Sequence, residues 1–238
     1  MIEPCKPAGP TRAVADDLDL LEQWLELDAP CIVEAGCGSA RLLRTLLERH
    51  PGCRAWGLEV DARQHAKNLA APQAGLVFVA APAQAIPADD ASFDLALMLK
   101  SLHHVPPDAM DDALIELRRV LRPGGHLYVS EPVYGGALNE IVRLFNDEGR
   151  VRAAAQAALD RAVARGHWLD VAAQRFDVPV HYRDFAEFEQ RMVDVTFAER
   201  RFDAALRAAV RARFDPHLGS DGAWFERPML ARLLRRAG

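Results

Sequence analysis

Between Cys31 and Pro132, short apolar runs alternate with amphipathic segments, and this alternation limits the fold more than any other feature of the 238-residue chain. Cys31–Ala35, Arg54–Val60, Leu76–Ala80, Phe93–Leu99 and the run "HLYVSEP" read as strands. Ala40–Arg49, Ala62–Ala70 and Asp108–Leu121 read as helices, the first stopped by "HPG" and the last by "RPGG". In Asp108–Leu121, the residues Leu114, Leu117, Val120 and Leu121 fall on one side, as in a helix with one buried face. Phe93–Leu99 is almost continuously apolar, the pattern of a strand covered on both faces. Strands and helices repeating at this spacing imply right-handed crossovers and an α/β fold, a doubly wound, mostly parallel sheet of about seven strands. Ligands in such sheets bind beyond the carboxyl ends of the strands. The segments that follow the strands are Glu34–Ala40, Glu59–Asp61, Ala81–Gln84, Lys100–His104 and Glu131–Tyr134.

The flanks read differently. The first ten residues hold three prolines and a glycine and suit an irregular arm. Val14, Leu18, Leu21 and Leu25 keep helical spacing opposite Asp17, Asp19 and Glu22, which predicts a lead-in helix ending before Pro30. After Gly136 the alternation stops. Residues 137–165 are rich in Ala, Arg, Leu and Glu and predict one or two helices outside it. A strand is expected at Phe176–Tyr182, and helices over Phe185–Val193 and Phe202–Phe214. "AWFERPMLARLLRR" fits either a last strand, with Pro228 at an edge or bulge, or a short helix. The expected organisation is one domain over 1–238. It has a core at 13–134, a helical insertion after strand five at 135–175, and a completion of the sheet at 176–238. The insertion fits a lid over the site, a surface helix pair or a homodimer interface.

The stretch "IVEAGCGSARLL" joins a strand to a helix through two glycines. Gly36 and Gly38 permit backbone angles closed to other residues and put no side chain between backbone and ligand. The following helix turns its free N–H groups to the same spot. Three features bear on which ligand. A dinucleotide loop needs a small residue three positions after its second glycine, and that position is Arg41. Glu34 sits just before the loop, where a carboxylate suits a cation or ammonium group better than a pyrophosphate. Glu59 ends the second strand, placed to accept both hydroxyls of a ribose. A ligand with a ribose, a positive centre and an amino-acid tail fits better than NAD, and S-adenosylmethionine has all three.

At these residues the chain resembles the class I S-adenosylmethionine-dependent methyltransferases, especially their broad small-molecule group. "VEAGCGSA" resembles the family's first motif, with Ala40 in the place of its third glycine. "WGLEVD" resembles the second, and "AIPADDASFDLALMLKSLHHV" and "LRRVLRPGGHLYVSEP" are similar to the runs through strands four and five. The match spans 31–132 in order and spacing. It implies a Rossmann-like sheet, S-adenosylmethionine as cofactor and S-adenosylhomocysteine as product. By position, Gly36, Cys37 and Gly38 would line the methionine and ribose part. Glu34 would orient the amino group, Glu59 would bind the ribose with Val60 beside it, and Ala83 and Gln84 would flank the adenine. Lys100 and Ser101 would lie under the methionine portion. Pro82 stands where members often carry an acidic residue for the adenine amino group, so Gln84 is the substitute acceptor.

Methyl transfer is an in-line displacement that rests mainly on positioning and exclusion of water. A general base is needed only when the nucleophile holds its proton tightly. His103 and His104 are the candidates, and the alternative is that "LHHV" caps the strand and packs. A cation beside a sulfonium is unfavourable, so Lys100 is expected to snorkel away or to pair with Glu34 or Asp61. Tyr134 and Glu131 fit either a substrate contact or a plain strand-end role. Cys37 is small enough for its place between the glycines, and nothing but Arg41 is placed to make it a reactive thiolate. The acceptor is expected to be a small molecule. The alternative function is a cofactor-binding protein or partner subunit without transferase activity.

Composition closes other classes. Half of the residues are hydrophobic, enough for a sizeable core, and the net charge is −5, which disfavours nucleic acid. Five arginines between Arg200 and Arg213 are interleaved with Glu199, Asp203 and Asp215, as on a solvated helix face. Cys5, Cys31, Cys37 and Cys53 show neither a CxxC pair nor zinc spacing, and no other metal motif stands out. The start lacks a secretory layout, and no apolar run approaches the ~18 residues of a membrane span. A cytoplasmic protein with free thiols is the expectation.

Overall fold

A computed structural model of the chain describes residues 12–13, 17–193 and 202–238. The first-ten-residue arm, Cys5, Val14, Glu199, Arg200 and Arg201 lie outside them. The strands are β1 (Arg12–Ala13), β2 (Cys31–Ala35), β3 (Arg54–Leu58), β4 (Leu76–Val79), β5 (Phe93–Leu99), β6 (Leu121–Pro132), β7 (Trp168–Tyr182), β8 (Leu218–Gly219) and β9 (Gly222–Arg236). The helices are α1 (Asp17–Trp24), α2 (Arg41–Arg49), α3 (Ala62–Leu69), α4 (Met110–Val120), α5 (Ala137–Val142), α6 (Gly149–Ala164), α7 (Phe185–Met192) and α8 (Ala204–Phe214). A 3-10 turn, Leu102–His104, follows β5, and another, Asp215–His217, follows α8.

All nine strands form one sheet in the order β1-β7-β9-β6-β5-β2-β3-β4, with β8 on β9. From β4 to β6 every pair is parallel. β9 runs antiparallel between β6 and β7. Since β1 and β8 are two residues each, seven full strands carry the mostly parallel, Rossmann-like sheet that the alternation predicts. The chain moves outward from β2 to β3 and β4, then returns to the other side of β2 with β5. The crevice between the ends of β2 and β5 is therefore the switch point at which such sheets bind ligands.

Alternation within the strands sorts the core into two layers. Val33, Ala96, Met98 and Val129 face α4 and α6 through Leu114, Leu117, Ala158 and Leu159. Ile32, Leu95, Leu97 and Tyr128 face α1 and α2 through Leu18, Leu21, Leu43 and Leu46. Beyond the sheet body, the far ends of β7 and β9 hold a third apolar cluster. There Tyr182 and Phe225 pack with Ile141 of α5, Phe188 of α7 and Phe214 of α8.

The last segment is a strand, and not at an edge. Pro228 sits in β9 just past Met229, which makes the final pair with Pro132 of β6. Its carbonyl accepts a hydrogen bond from Val133 N–H at 2.8 Å. The imide nitrogen faces the same side, just beyond the last β6 pair, so its missing donor costs the ladder only at its end. β7 begins at Trp168, well before the expected Phe176. Its first half carries polar residues such as Asp170 and Gln174 and shifts register between Asp170 and Ala172, so period-two patterning is broken there. Residues 137–165 do form two helices, but α6 covers the sheet beside α4. No helix among the described residues is long and apolar enough to cross a membrane.

Candidate active site

The glycine loop is built by close approach. Gly36 has φ +74°, and a Cβ there would lie 2.8 Å from that of Ser101, so the first loop glycine is pressed against the segment after β5. A Cβ on Gly57 would lie 2.9 Å from Cys37 Sγ. Ala40, in the place of a third glycine, takes φ 55° and opens α2.

The loop amides are already used. Gly36 and Cys37 both donate to Leu58 O, at 3.0 and 2.9 Å, and Ala40 donates to Cys37 O at 2.8 Å. Gly38 N donates to Glu59 Oε2 at 2.9 Å, and Asp61 N donates to Glu59 Oε1 at 2.8 Å. Asn68 of α3 holds Gly38 O from its amide at 2.7 Å. A phosphate needs several free N–H groups converging on it, and Gly36, Cys37, Gly38 and Ala40 have theirs committed within the protein.

Carboxylates surround it instead. Glu34 is 3% exposed at the end of β2, and its Oε2 is buried without a hydrogen-bond partner. Burial pushes its carboxyl up from 4.5 to about 8, against the pull of Lys100 and with the repulsion of Asp17 and Glu59. Glu59, buried just past β3, accepts one N–H on each oxygen, which leaves each oxygen further acceptor capacity. Burial, then Glu34 and Glu59, pushes the Cys37 thiol far up, so Cys37 fills space beside Gly57 and is no nucleophile.

Lys100 corrects an expectation. It pairs with neither Glu34 nor Asp61. Its Nζ lies 3.6 Å from Oδ2 of Asp17 on α1, a carboxylate also held by Tyr128 Oη at 3.2 Å. Lys100 has φ 54°; that left-handed turn ends β5 and is followed by Ser101, whose hydroxyl donates to Ala35 O at 2.7 Å. Val60 is 69% exposed beside Glu59. Ala83 packs its methyl into the main core, and Gln84 is half-buried in the loop after β4. Glu34, Gly36, Cys37, Gly38, Glu59, Lys100 and Ser101 are thus brought together at the switch point, while no hydrogen bond ties Ala83 or Gln84 to them among the described residues.

Next to Lys100 a cavity of about 280 Å³ opens past the ends of β5 and β6. His103, His104, Leu138, Asn139, Glu148 and Arg227 are among its walls. His103 is buried and its Nδ1 bonds Glu131 Oε2, while Glu131 Oε1 accepts Leu102 N–H at 2.8 Å. This carboxylate orients the ring through Nδ1 and leaves Nε2 on its far side, 3.8 Å from Glu148 Oε2. His104 is exposed, with its ring 4.1 Å from that of His103; burial of the imidazole and then the neighbouring ring lower its pKa. One ligand atom each from His103, His104 and Glu148 lies within 4.8 Å of the others. Glu148, however, is bound by Arg152 at 2.6 Å and by Asn146 at 2.7 Å. Burial acts to raise the Glu148 carboxyl, but Arg152, His103 and Asn146 together outweigh it and hold it below the usual range. Tyr134 is exposed, near the start of α6.

Asp17, Asn68, Asn139, Glu148, Arg152 and Arg227 were not singled out by the sequence. None carries a local sequence signal, since the burial of Asn68 on α3 shows only in the structure. The others reach the site from elements distant in the chain.

Residues 33–129 match the methyltransferase domain family model. Over these residues the chain resembles the class I S-adenosylmethionine-dependent methyltransferases. It is 30% identical over 174 residues to the 27-O-demethylrifamycin SV methyltransferase of Amycolatopsis mediterranei, covering 68% of this chain and 58% of that protein. It is 33% identical over 117 residues to the ubiquinone/menaquinone biosynthesis C-methyltransferase of Paracoccus denitrificans, 45% of each chain. The chain spans about half the length of the curated relatives it matches. Among solved structures, the YcgJ protein of Bacillus subtilis superposes with a TM-score of 0.63 at 16% identity, covering 92% of this chain and 97% of that one. An S-adenosylmethionine-dependent methyltransferase of Mesorhizobium loti superposes with 0.54 at 17% identity, covering 94% and 98%. At these identities the likeness is one of fold.

Proposed function

We propose that this methyltransferase binds S-adenosylmethionine at the switch point and methylates a small molecule held in the neighbouring cavity. The observation that carries this is the unpaired, buried Glu34 Oε2 beside a loop with four of its amides already paired. An orphaned acceptor in a buried site calls for a donor, and a cationic ammonium supplies one. Glu59 keeps acceptor capacity for two ribose hydroxyls, and the exposed Val60 side chain offers an apolar surface to the base. The backbone of Ala83 and the amide of Gln84 serve the adenine edge.

When bound, the cofactor supplies a methyl group on a positively charged sulfur. The chain's residues do the rest by placement. Asp17 draws the Lys100 ammonium aside, which keeps a repelling charge from the sulfonium. The Gly36–Ser101 contact sets the spacing between the cofactor loop and the cavity. With its Nδ1 held by Glu131, His103 offers Nε2 to the acceptor's proton, and Glu131 stabilises the imidazolium that results. α5 and the first turn of α6 wall the acceptor from water. The related methyltransferases for rifamycin and for quinone biosynthesis support a small-molecule acceptor.

Isothermal titration with S-adenosylhomocysteine tests the reading. Micromolar-range binding is expected, and Glu59→Ala should weaken it by at least ~1.5 kcal/mol, the loss of charge-assisted acceptors. No binding by the wild-type chain would sink the proposal; unchanged affinity in the variant would sink the ribose role alone.

A further inference from the structure

The acceptor cavity has more hydrogen-bond donors than its own residues satisfy. Three arginines line it: Arg152 from α6, Arg191 from α7 and Arg227 from β9. Arg152 is engaged by Glu148 at 2.6 Å and by Asn139 Oδ1 at 3.1 Å. Arg191 donates to His181 O at 2.9 Å, pairs with Glu187 at 3.5 Å and lies 4.7 Å from the centre of the Tyr182 ring. Arg227 is half-buried, and among the described residues its guanidinium has neither a hydrogen-bond partner nor an ion pair. The Asn139 amide nitrogen, on the same wall, is buried and also without an acceptor.

The carboxylates of the cavity offset this only in part, Glu148 through its attraction for Arg227. Glu148 is committed to Arg152 and Asn146. Glu226 also lines the cavity but is exposed, and it forms no ion pair among the described residues. Burial, with Arg152 and Arg191 beside it, pulls Arg227 below its usual value. A guanidinium held in that setting is under-solvated and repelled, and an entering anion relieves both penalties. Its planar fork of donors matches the two oxygens of a carboxylate or phosphate.

We infer that the acceptor carries an oxyanion, a carboxylate or a phosphate group, which Arg227 binds with the help of Asn139, Arg152 and Arg191. Anchored there, the rest of the acceptor extends across the cavity toward His103 and Lys100, where the glycine loop meets Ser101. This rests on the proposed methyltransferase function, because it assigns the cavity to the acceptor. It adds a substrate class: neutral molecules of the same size bind poorly.

The test uses the full chain and three probes that share a six-carbon tail: hexanoate, hexyl phosphate and 1-hexanol. Each is titrated calorimetrically with and without S-adenosylhomocysteine. At least one anion should bind about tenfold or more tighter than hexanol, the scale of a charged hydrogen-bonded pair. Which anion binds tighter tells a carboxylate acceptor from a phosphate one. Arg227→Met should abolish that preference at an unchanged Kd for S-adenosylhomocysteine, and Arg227→Lys should retain part of it, which a merely structural residue would not show. The inference is overturned if hexanol binds as tightly as both anions. It is also overturned if a folded Arg227→Met, or Arg227→Lys where the Met variant does not fold, matches the wild type with every probe. Anion preference without any S-adenosylhomocysteine binding would leave the anion site standing and remove the methyltransferase reading.

Discussion

At the scale of the residue, Glu34 couples the site to pH. Its carboxyl has a pKa of about 8, raised from 4.5 chiefly by burial. The empty protein therefore keeps a proton there that the unfolded chain has already released. Between pH 4.5 and about 8 the unfolded state binds fewer protons at this group, so Glu34 makes the empty protein progressively less stable as pH rises through that window. A cationic ligand reverses the preference, because it favours the ionised form. Binding of S-adenosylhomocysteine at pH 6.5 should release close to one proton, and release should fade above pH 8. Titration in two buffers of different ionisation enthalpy measures it directly. Glu34→Gln should abolish the release and should raise the Tm of the empty protein more at pH 8 than at pH 5. Equal apparent heats in both buffers would rule out this role for Glu34.

At the scale of the element, the site depends on ties between strand ends. Glu131 closes β6 and reaches back to the 3-10 turn after β5, with one oxygen on Leu102 N–H and the other on His103 Nδ1. Glu131→Gln keeps the shape but replaces the charge. As the charge stabilises an imidazolium, kcat should fall by about 10²-fold or more, with the affinity for S-adenosylhomocysteine unchanged. A kcat equal to wild type, measured once an acceptor is in hand, would reduce the pair to a structural tie. α6 shows a different division of labour within one helix. Its Ala155, Ala158, Leu159 and Ala162 face cover the sheet, while Arg152 in its opening turns meets the cavity. Its ion pairs from Arg161 and Arg165 to Asp111 are exposed, and such pairs contribute little beside the buried face.

At the scale of the molecule, the cofactor loop belongs to the sheet body and the cavity lies between that body and the third apolar cluster. Several elements far apart in the chain must be in place together before either half of the site exists. A ligand that binds only this assembled state stabilises it. With S-adenosylhomocysteine at a hundredfold excess over its Kd, the gain is about 2.7 kcal/mol, which raises Tm by roughly 5–10 °C for a chain of this size. Thermal denaturation at fixed ligand checks it. Glu59→Ala should need a correspondingly higher concentration for the same shift, and a wild-type Tm indifferent to ligand would contradict the assembled site.

What the sequence determined by itself is local or periodic. Phe93–Leu99 was readable to the residue because a strand buried on both faces is apolar throughout. The glycine loop was readable because only small residues fit where Gly36 meets Ser101, and Glu34 and Glu59 because they end adjacent strands. The start of β7 was hidden by polar residues and a register shift, and the last strand by a proline whose harmlessness depends on where β6 stops. The partners were decided by the tertiary structure alone. Lys100 finds Asp17 from α1, His103 finds Glu131 and Glu148, and Arg227 shares a cavity with Arg152 and Arg191. Charge interactions act through space with no periodicity along the chain, so a carboxylate eighty residues away leaves no mark beside the lysine it will hold. The cofactor half of the site is written in a contiguous motif; the acceptor half exists only once the sheet has closed around it.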